Sequence, residues 1–156
     1  MKIINYLFIS CFVLMGFACG STNSTSSERT IPDGSAGDAA SQVFQKLNAG
    51  DFQAKMDELK DYQLVDVRTI EELQETGTIS NAQHIDYHSD NFAALMEALD
   101  KDKPVMVYCK SGGRSGNACE VLKKLDFKEV YDLDGGITAW QSENRPTESI
   151  EGTDEK

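Results

Sequence analysis

Short apolar runs alternate with segments of helical periodicity between residues 63 and 143. Apolar runs of this length bounded by turn residues predict buried strands, and apolar residues three to four positions apart predict helices. The predicted strands cover 63–67, 83–85, 104–108 and 129–133, and the predicted helices cover 70–75, 92–99, 113–125 and 137–143. This alternation predicts an α/β fold with an open, mostly parallel sheet flanked by helices, whose ligands bind beyond the carboxyl ends of the strands.

An earlier segment, 39–59, has apolar residues at helical spacing and predicts further helix packed on the sheet, interrupted at 48–50. Two groups of residues carry that spacing: Val43, Phe44 and Leu47, then Phe52, Met56 and Leu59. We therefore place the start of the folded domain near residue 39 and its end near residue 147.

The first 18 residues have a different composition, with Lys2 followed by an almost continuous apolar run from 3 to 17. This pattern is typical of a secretion signal. Cys19 follows it directly and resembles the acylated first residue of a bacterial lipoprotein. We expect a lipid-anchored protein of the bacterial cell envelope that faces the periplasm. The alternative is an ordinary cleaved signal and a secreted protein, with Cys19 incidental.

The polar segment 19–38 is too poor in apolar residues to bury a core, so it predicts a flexible tether, and 148–156 predicts a disordered acidic tail. The formal charge of the chain is −11. Loss of Lys2 with the signal leaves the mature chain at −12. Such an acidic chain is a poor partner for nucleic acid, and an anionic substrate would need local attraction.

The most informative chemistry lies at Cys109, where the strand 104–108 becomes a glycine-rich turn that leads into a helix. The unpaired amides of a helix start can lower the pKa of a thiol below its free value of about 8.5. Polar neighbours surround this cysteine, which favours a reactive thiol over a structural one. Cys119 is the only other cysteine of the predicted domain, and together with His84 and His88 the two give neither a disulfide framework nor a zinc-ligand pattern.

Three ordered segments resemble the rhodanese sulfurtransferases, over about residues 44 to 146. Cys109-x-x-Gly112-x-Arg114 resembles the active-site loop of that family. Residues 64–68, followed by Glu71 and Glu72, resemble its first strand, and 133–140 with Pro146 resemble its closing turn and last helix. One segment departs, because 76–82 lacks the histidine and the proline of the family's Gly-His-Ile-Pro-Gly-Ala pattern.

The resemblance implies a sheet of about five strands and a nucleophilic Cys109. This thiolate would take sulfane sulfur from a small sulfur-containing anion such as thiosulfate, hold it as a persulfide and pass it to a thiol acceptor, without a cofactor or a metal. The chain is expected to be a monomer. The expected substrate-binding residues are Lys110, Ser111, Gly112, Gly113, Arg114 and Ser115, and the expected supporting residues are Asp66, Arg68 and Glu72.

Several alternatives remain open at this point. Arg114 could pair with Glu71 or Glu72, or it could face the sulfonate of a donor. Cys119 could be a core residue or could resolve the persulfide on Cys109. The chain could also be a persulfide carrier loaded by a partner protein, or a phosphatase of related fold, although phosphatase relatives have a loop one residue longer than the six residues from Cys109 to Arg114.

Overall fold

The computed structural model describes residues 42–150. The predicted signal peptide, Cys19 and the whole of the predicted tether lie outside these residues, as do positions 151–156. Within 42–150, none of the helices has the length and apolar character needed to cross a membrane.

The described residues form one sheet of five strands, and every neighbouring pair in it is parallel. In chain order the strands are Val43–Leu47 (β1), Gln63–Asp66 (β2), Gln83–His84 (β3), Val105–Tyr108 (β4) and Glu129–Leu133 (β5). Their order across the sheet is β1-β5-β4-β2-β3. The helices are Ala49–Leu59 (α1), Ile70–Thr76 (α2), Phe92–Glu97 (α3), Gly113–Lys124 (α4) and Gly136–Ser142 (α5). The predicted fold class is confirmed.

The prediction of helix over 43–47 is wrong, because these residues form the edge strand β1, paired with β5 from Val43 opposite Glu129 to Leu47 opposite Leu133. In a strand, residues three apart point to opposite faces of the sheet. Phe44 accordingly packs against the core on one face and Leu47 against the core on the other. The apolar spacing fits a helix equally well, and the pairing with β5 decides the outcome.

Apolar residues fill both faces of the sheet, as expected for a parallel sheet between two helical layers. Along β4 the side chains alternate: Val105 and Val107 belong to the core beneath α3 and α4, whereas Met106 and Tyr108 belong to the core on the opposite face. Cys109 continues the first set. The alternation therefore directs the Cys109 side chain toward α4.

The atypical segment 76–82 still folds into a compact turn. Asn81 adopts a left-handed φ of 63°, which asparagine tolerates better than most residues. Thr78 forms an antiparallel bridge with Glu148. This backbone pairing holds Glu148 against the segment 76–82.

Candidate active site

Cys109 is the first residue after β4, near the centre of the sheet. Its neighbours in the sheet, β2 and β5, run parallel to β4, so their following turns reach the same edge. Val67 donates its amide to the Tyr108 carbonyl at 3.0 Å, and Ile137 donates its amide to the Cys109 carbonyl at 2.8 Å. The turns after β2 and β5 therefore enclose the cysteine from both sides.

The sulfur of Cys109 is buried and surrounded by backbone amides. The amide of Gly112 donates to Sγ over 3.1 Å. Burial alone would raise the pKa of this thiol, but hydrogen bonds from Ser115, Ser111 and Gly112 outweigh burial, and the pKa is lowered. A thiolate at this position is stabilised by fixed dipoles that need no reorganisation when charge forms.

The loop that supplies these amides turns sharply at Gly112, which precedes α4 with a φ of 95°. This left-handed conformation is readily adopted by glycine and costs other residues energy. The loop alternates between exposed and buried residues: Lys110, Ser111 and Gly113 are exposed, whereas Gly112 and Ser115 are buried. The exposed members can meet a substrate, and the buried members face the sulfur.

A second glycine, Gly136, lets the turn after β5 press against this loop. A Cβ atom at Gly136 would lie 2.4 Å from the Cys109 carbonyl oxygen and 2.6 Å from the Lys110 carbonyl carbon, and its φ is 59°. Thr138, two residues further, donates its hydroxyl to the Lys110 carbonyl at 2.9 Å. Sequence reasoning did not include these two residues in the site. The paired glycines 135–136 were the available signal, since such a pair favours close backbone approach.

Arg114 pairs with Glu72, which is one of the two acidic residues that the sequence offered. Both terminal nitrogens of the guanidinium donate to the carboxylate, Nη1 over 2.6 Å and Nη2 over 2.8 Å. The bond with Arg114 is the main reason that the pKa of Glu72 is lowered to about 2. Because both terminal nitrogens of its guanidinium donate to Glu72, Arg114 links α4 to α2 and fixes the conformation of the loop.

Asp66 and Arg68 form a buried ion pair at the end of β2, with 2.7 Å between Arg68 Nη2 and Asp66 Oδ2. Arg68 also donates to the Gly77 carbonyl at 2.6 Å and to the Thr76 hydroxyl at 2.8 Å. These bonds hold the end of α2, the helix that carries Glu72. The pair therefore stabilises α2, to which the loop is linked through Glu72 and Arg114.

Cys119 lies on α4 and is half-buried against the same core as Cys109. Its pKa is raised to about 12, first by burial and then by the negative charges of Asp132 and Glu120. A thiol of this kind stays protonated at neutral pH. The arrangement agrees with the interpretation of Cys119 as a core residue.

The described residues therefore form an open parallel α/β sheet with a buried thiol at the carboxyl end of a central strand, where the Gly112 amide donates to the sulfur. The model of the Rhodanese-like domain family matches residues 48–143, and the chain belongs to this family.

Named relatives and solved structures agree with this assignment. A thiosulfate sulfurtransferase of Shewanella oneidensis is 36% identical over 105 residues, which cover 65% of this chain and 96% of that protein. The crystal structure of a rhodanese-related protein from Thermoplasma volcanium has a TM-score of 0.59 at 31% identity and covers 68% of this chain and 99% of its own. The polysulfide-sulfur transferase homodimer of Wolinella succinogenes has a TM-score of 0.58 at 29% identity, with coverage of 72% and 82%.

Proposed function

We propose that this protein is a sulfurtransferase that moves sulfane sulfur from a donor such as thiosulfate to a thiol acceptor through a persulfide on Cys109. The observation that carries the proposal is the sulfur of Cys109, which is held in an amide-lined loop and has a lowered pKa. Family membership and the similarity to a thiosulfate sulfurtransferase support it.

In the loading step the Cys109 thiolate attacks the outer sulfur of thiosulfate. A bond forms between Sγ and that sulfur, the sulfur–sulfur bond of thiosulfate breaks, and the electron pair leaves with sulfite. The negative charge remains on the outer sulfur of the persulfide. The amides of Ser111, Gly112 and Ser115 then stabilise this charge, as they stabilise the thiolate.

In the unloading step an acceptor thiolate attacks the outer sulfur, and Cys109 leaves as a thiolate. A group with a lowered pKa is a good leaving group, so the same loop promotes both halves of the cycle. Both steps begin from a thiolate, so neither step itself includes a proton transfer.

The donor must be attracted locally, because the chain as a whole is strongly acidic. Arg114 is engaged by Glu72, so the exposed Lys110 and the loop amides are the groups available to an anion. We assign Lys110, Ser111 and Gly113 to substrate contact and assign Gly112 and Ser115 to the sulfur itself. Asp66, Arg68 and Glu72 support the loop.

The experiment is the mass of the purified, reduced chain before and after exposure to thiosulfate. We expect a gain of one sulfur atom that is lost in Cys109→Ser and retained in Cys119→Ser, which serves as the matched control. Addition of a thiol should remove the sulfur. A folded wild-type chain that gains nothing would exclude thiosulfate as the donor and favour a carrier loaded by a partner protein.

We also propose that the protein is anchored in the cell envelope through an acylated Cys19 and faces the periplasm. The proposal rests on the apolar run that precedes this cysteine. In a bacterial host, the wild-type chain should fractionate with membranes and Cys19→Ser should appear in the soluble fraction. Equal membrane association of both would exclude the lipid anchor.

A further inference from the structure

Two buried polar atoms near Cys109 have no partner with full hydrogen-bond geometry among the described residues, Ser115 Oγ and Asp132 Oδ1. Ser115 is 0% exposed and Asp132 is 4% exposed. A buried polar atom without a partner destabilises the folded state, so two such atoms beside Cys109 call for an explanation.

Sheet geometry places Asp132 on the same face as Cys109. Asp132 of β5 is paired with Val107 of β4, and Cys109 lies two residues beyond Val107. Because paired residues share a face and residues two apart in a strand share a face, all three side chains point toward α4. Ser115 is buried in the first turn of that helix.

The hydroxyl of Ser115 therefore lies between two acceptors. It is close enough to the Cys109 sulfur and to the Asp132 carboxylate to lower the pKa of each, although it has full hydrogen-bond geometry with neither. A serine hydroxyl has a single proton to donate. It can satisfy a thiolate or a carboxylate, but it cannot satisfy both at once.

We propose that Asp132 accepts the proton of Cys109 through Ser115 when the thiolate forms. In the thiol state the S–H group donates to Ser115 Oγ, and Ser115 donates to the Asp132 carboxylate. The S–H bond then breaks as a new O–H bond forms at Ser115, while the Ser115 proton moves to Asp132. The result is a thiolate, a serine that donates to it and a neutral carboxyl that donates to the serine.

This transfer keeps the total charge of the three groups at −1 and supplies hydrogen-bond partners to Ser115 Oγ and to the Asp132 carboxyl group. Asp132 suits the role because burial, the largest influence, raises its pKa, so that it can hold a proton. It also lines a cavity of about 250 Å³ between β1 and α4. The lining of this cavity does not include Lys110, Ser111 or Gly113, so the Asp132 proton can reach water without passing the residues assigned to substrate contact.

Other charged groups lie near Asp132 and influence its ionisation. Lys46 on β1 lies 3.8 Å from its carboxylate and favours the ionised form, whereas Asp134 opposes ionisation. From α4, Cys119 faces it as a protonated thiol. The remaining charged residues that line the cavity are Glu120 and Lys123.

The inference rests on the proposed role of Cys109 as nucleophile and makes a distinct prediction for the pH dependence of its alkylation. When two groups share one proton, the thiolate fraction is constant over the pH range in which the pair holds that proton. The wild-type rate should therefore show a plateau on the acidic side, followed by a second rise at higher pH. Without Asp132 the rate should fall about tenfold for each pH unit below a single midpoint.

The experiment measures iodoacetamide alkylation of Cys109 in the full chain against pH, by mass spectrometry of the Cys109 peptide. Asp132→Asn and Ser115→Ala should each abolish the acidic plateau. Asp134→Asn is the matched control, because this exposed residue also lies 3.8 Å from Lys46, and it should retain the plateau. A plateau that survives in Asp132→Asn would overturn the proposal.

If Asp132→Asn fails to fold, Ser115→Ala decides, because it removes the bridge and leaves the carboxylate in place. Alkylation needs no sulfur donor, so a two-step profile in a chain that thiosulfate cannot load would exclude thiosulfate as the donor while retaining the proton transfer. Loading by thiosulfate with a one-step wild-type profile would do the reverse.

Discussion

Cys109 and Cys119 lie ten positions apart, one in the loop before α4 and the other within that helix, and both pack against the same core. Cys109 is the more completely buried of the two, yet its pKa is lowered while that of Cys119 is raised to about 12. Burial opposes ionisation in both cases. The difference is that Cys109 receives amide hydrogen bonds from a helix start, whereas Cys119 lies in the second turn, where the helical amides are already bonded, and faces acidic side chains.

The comparison shows that exposure is a poor guide to thiol reactivity in this protein. The direction of local dipoles and nearby charges decides the ionisation of each cysteine. Two experiments test this explanation directly, and a third tests the ion pair that holds the Cys109 loop.

The largest effect should be the difference in alkylation rate between the two cysteines of the native chain at neutral pH. At neutral pH Cys119, with a pKa of about 12, has roughly a thousandfold less thiolate than an unperturbed cysteine. The thiolate fraction of Cys109 should be larger than that of an unperturbed cysteine. Peptide mass spectrometry after brief exposure to iodoacetamide measures both rates. In the denatured chain the two rates should agree within a few-fold, and similar rates in the native chain would contradict the explanation.

Gly136→Ala should disturb Cys109 and leave Cys119 unchanged. The added methyl group would meet the Cys109 and Lys110 backbone at 2.4 to 2.7 Å, at a positive φ. We expect a loss of about 1–3 kcal/mol in the free energy of unfolding and at least a tenfold lower rate of sulfur transfer from thiosulfate. Denaturant titration and a sulfite-release assay measure the two effects.

The stability control for that variant is Gly116→Ala, in which the new methyl group makes only an ordinary contact, 4.0 Å from Asp132 Oδ2. Because alanine favours the helix, this change should be neutral or slightly stabilising. Equal losses in the free energy of unfolding in the two variants would show that the close backbone approach at Gly136 does not cause the loss in Gly136→Ala.

Glu72→Gln should have the smallest effect, because it removes one partially exposed ion pair. We expect a loss of about 1 kcal/mol in the free energy of unfolding at neutral pH. The pKa of Glu72 is lowered to about 2 in the folded state. The ion pair therefore adds to the free energy of unfolding at pH values above the unfolded pKa of about 4.3, and this contribution is lost as the pH falls toward about 2. Denaturant titrations of both chains across this range should converge at the acidic end; a constant difference would exclude the ion pair as its cause.

Much of the fold follows from patterns that single segments carry. The strand at 105–108 is a continuous apolar run, and the glycine-rich turn after it stops the strand and starts a helix, so both elements and the position of Cys109 are predictable from local residues. β1 is different. Its apolar spacing suits a helix as well as a strand, and only its pairing with β5, more than eighty residues away, selects the strand.

For the site, the amino-acid sequence is enough to predict the thiol, its turn of amides and the acidic partners available to Arg114, because these depend on neighbouring residues and on charge. The tertiary structure alone decided that Glu72 rather than Glu71 binds Arg114, that Gly136 touches the Cys109 carbonyl, and that Asp132 shares a face with the cysteine. These contacts join segments far apart in the chain. Strand order and register bring them together, and no local pattern of residues encodes either.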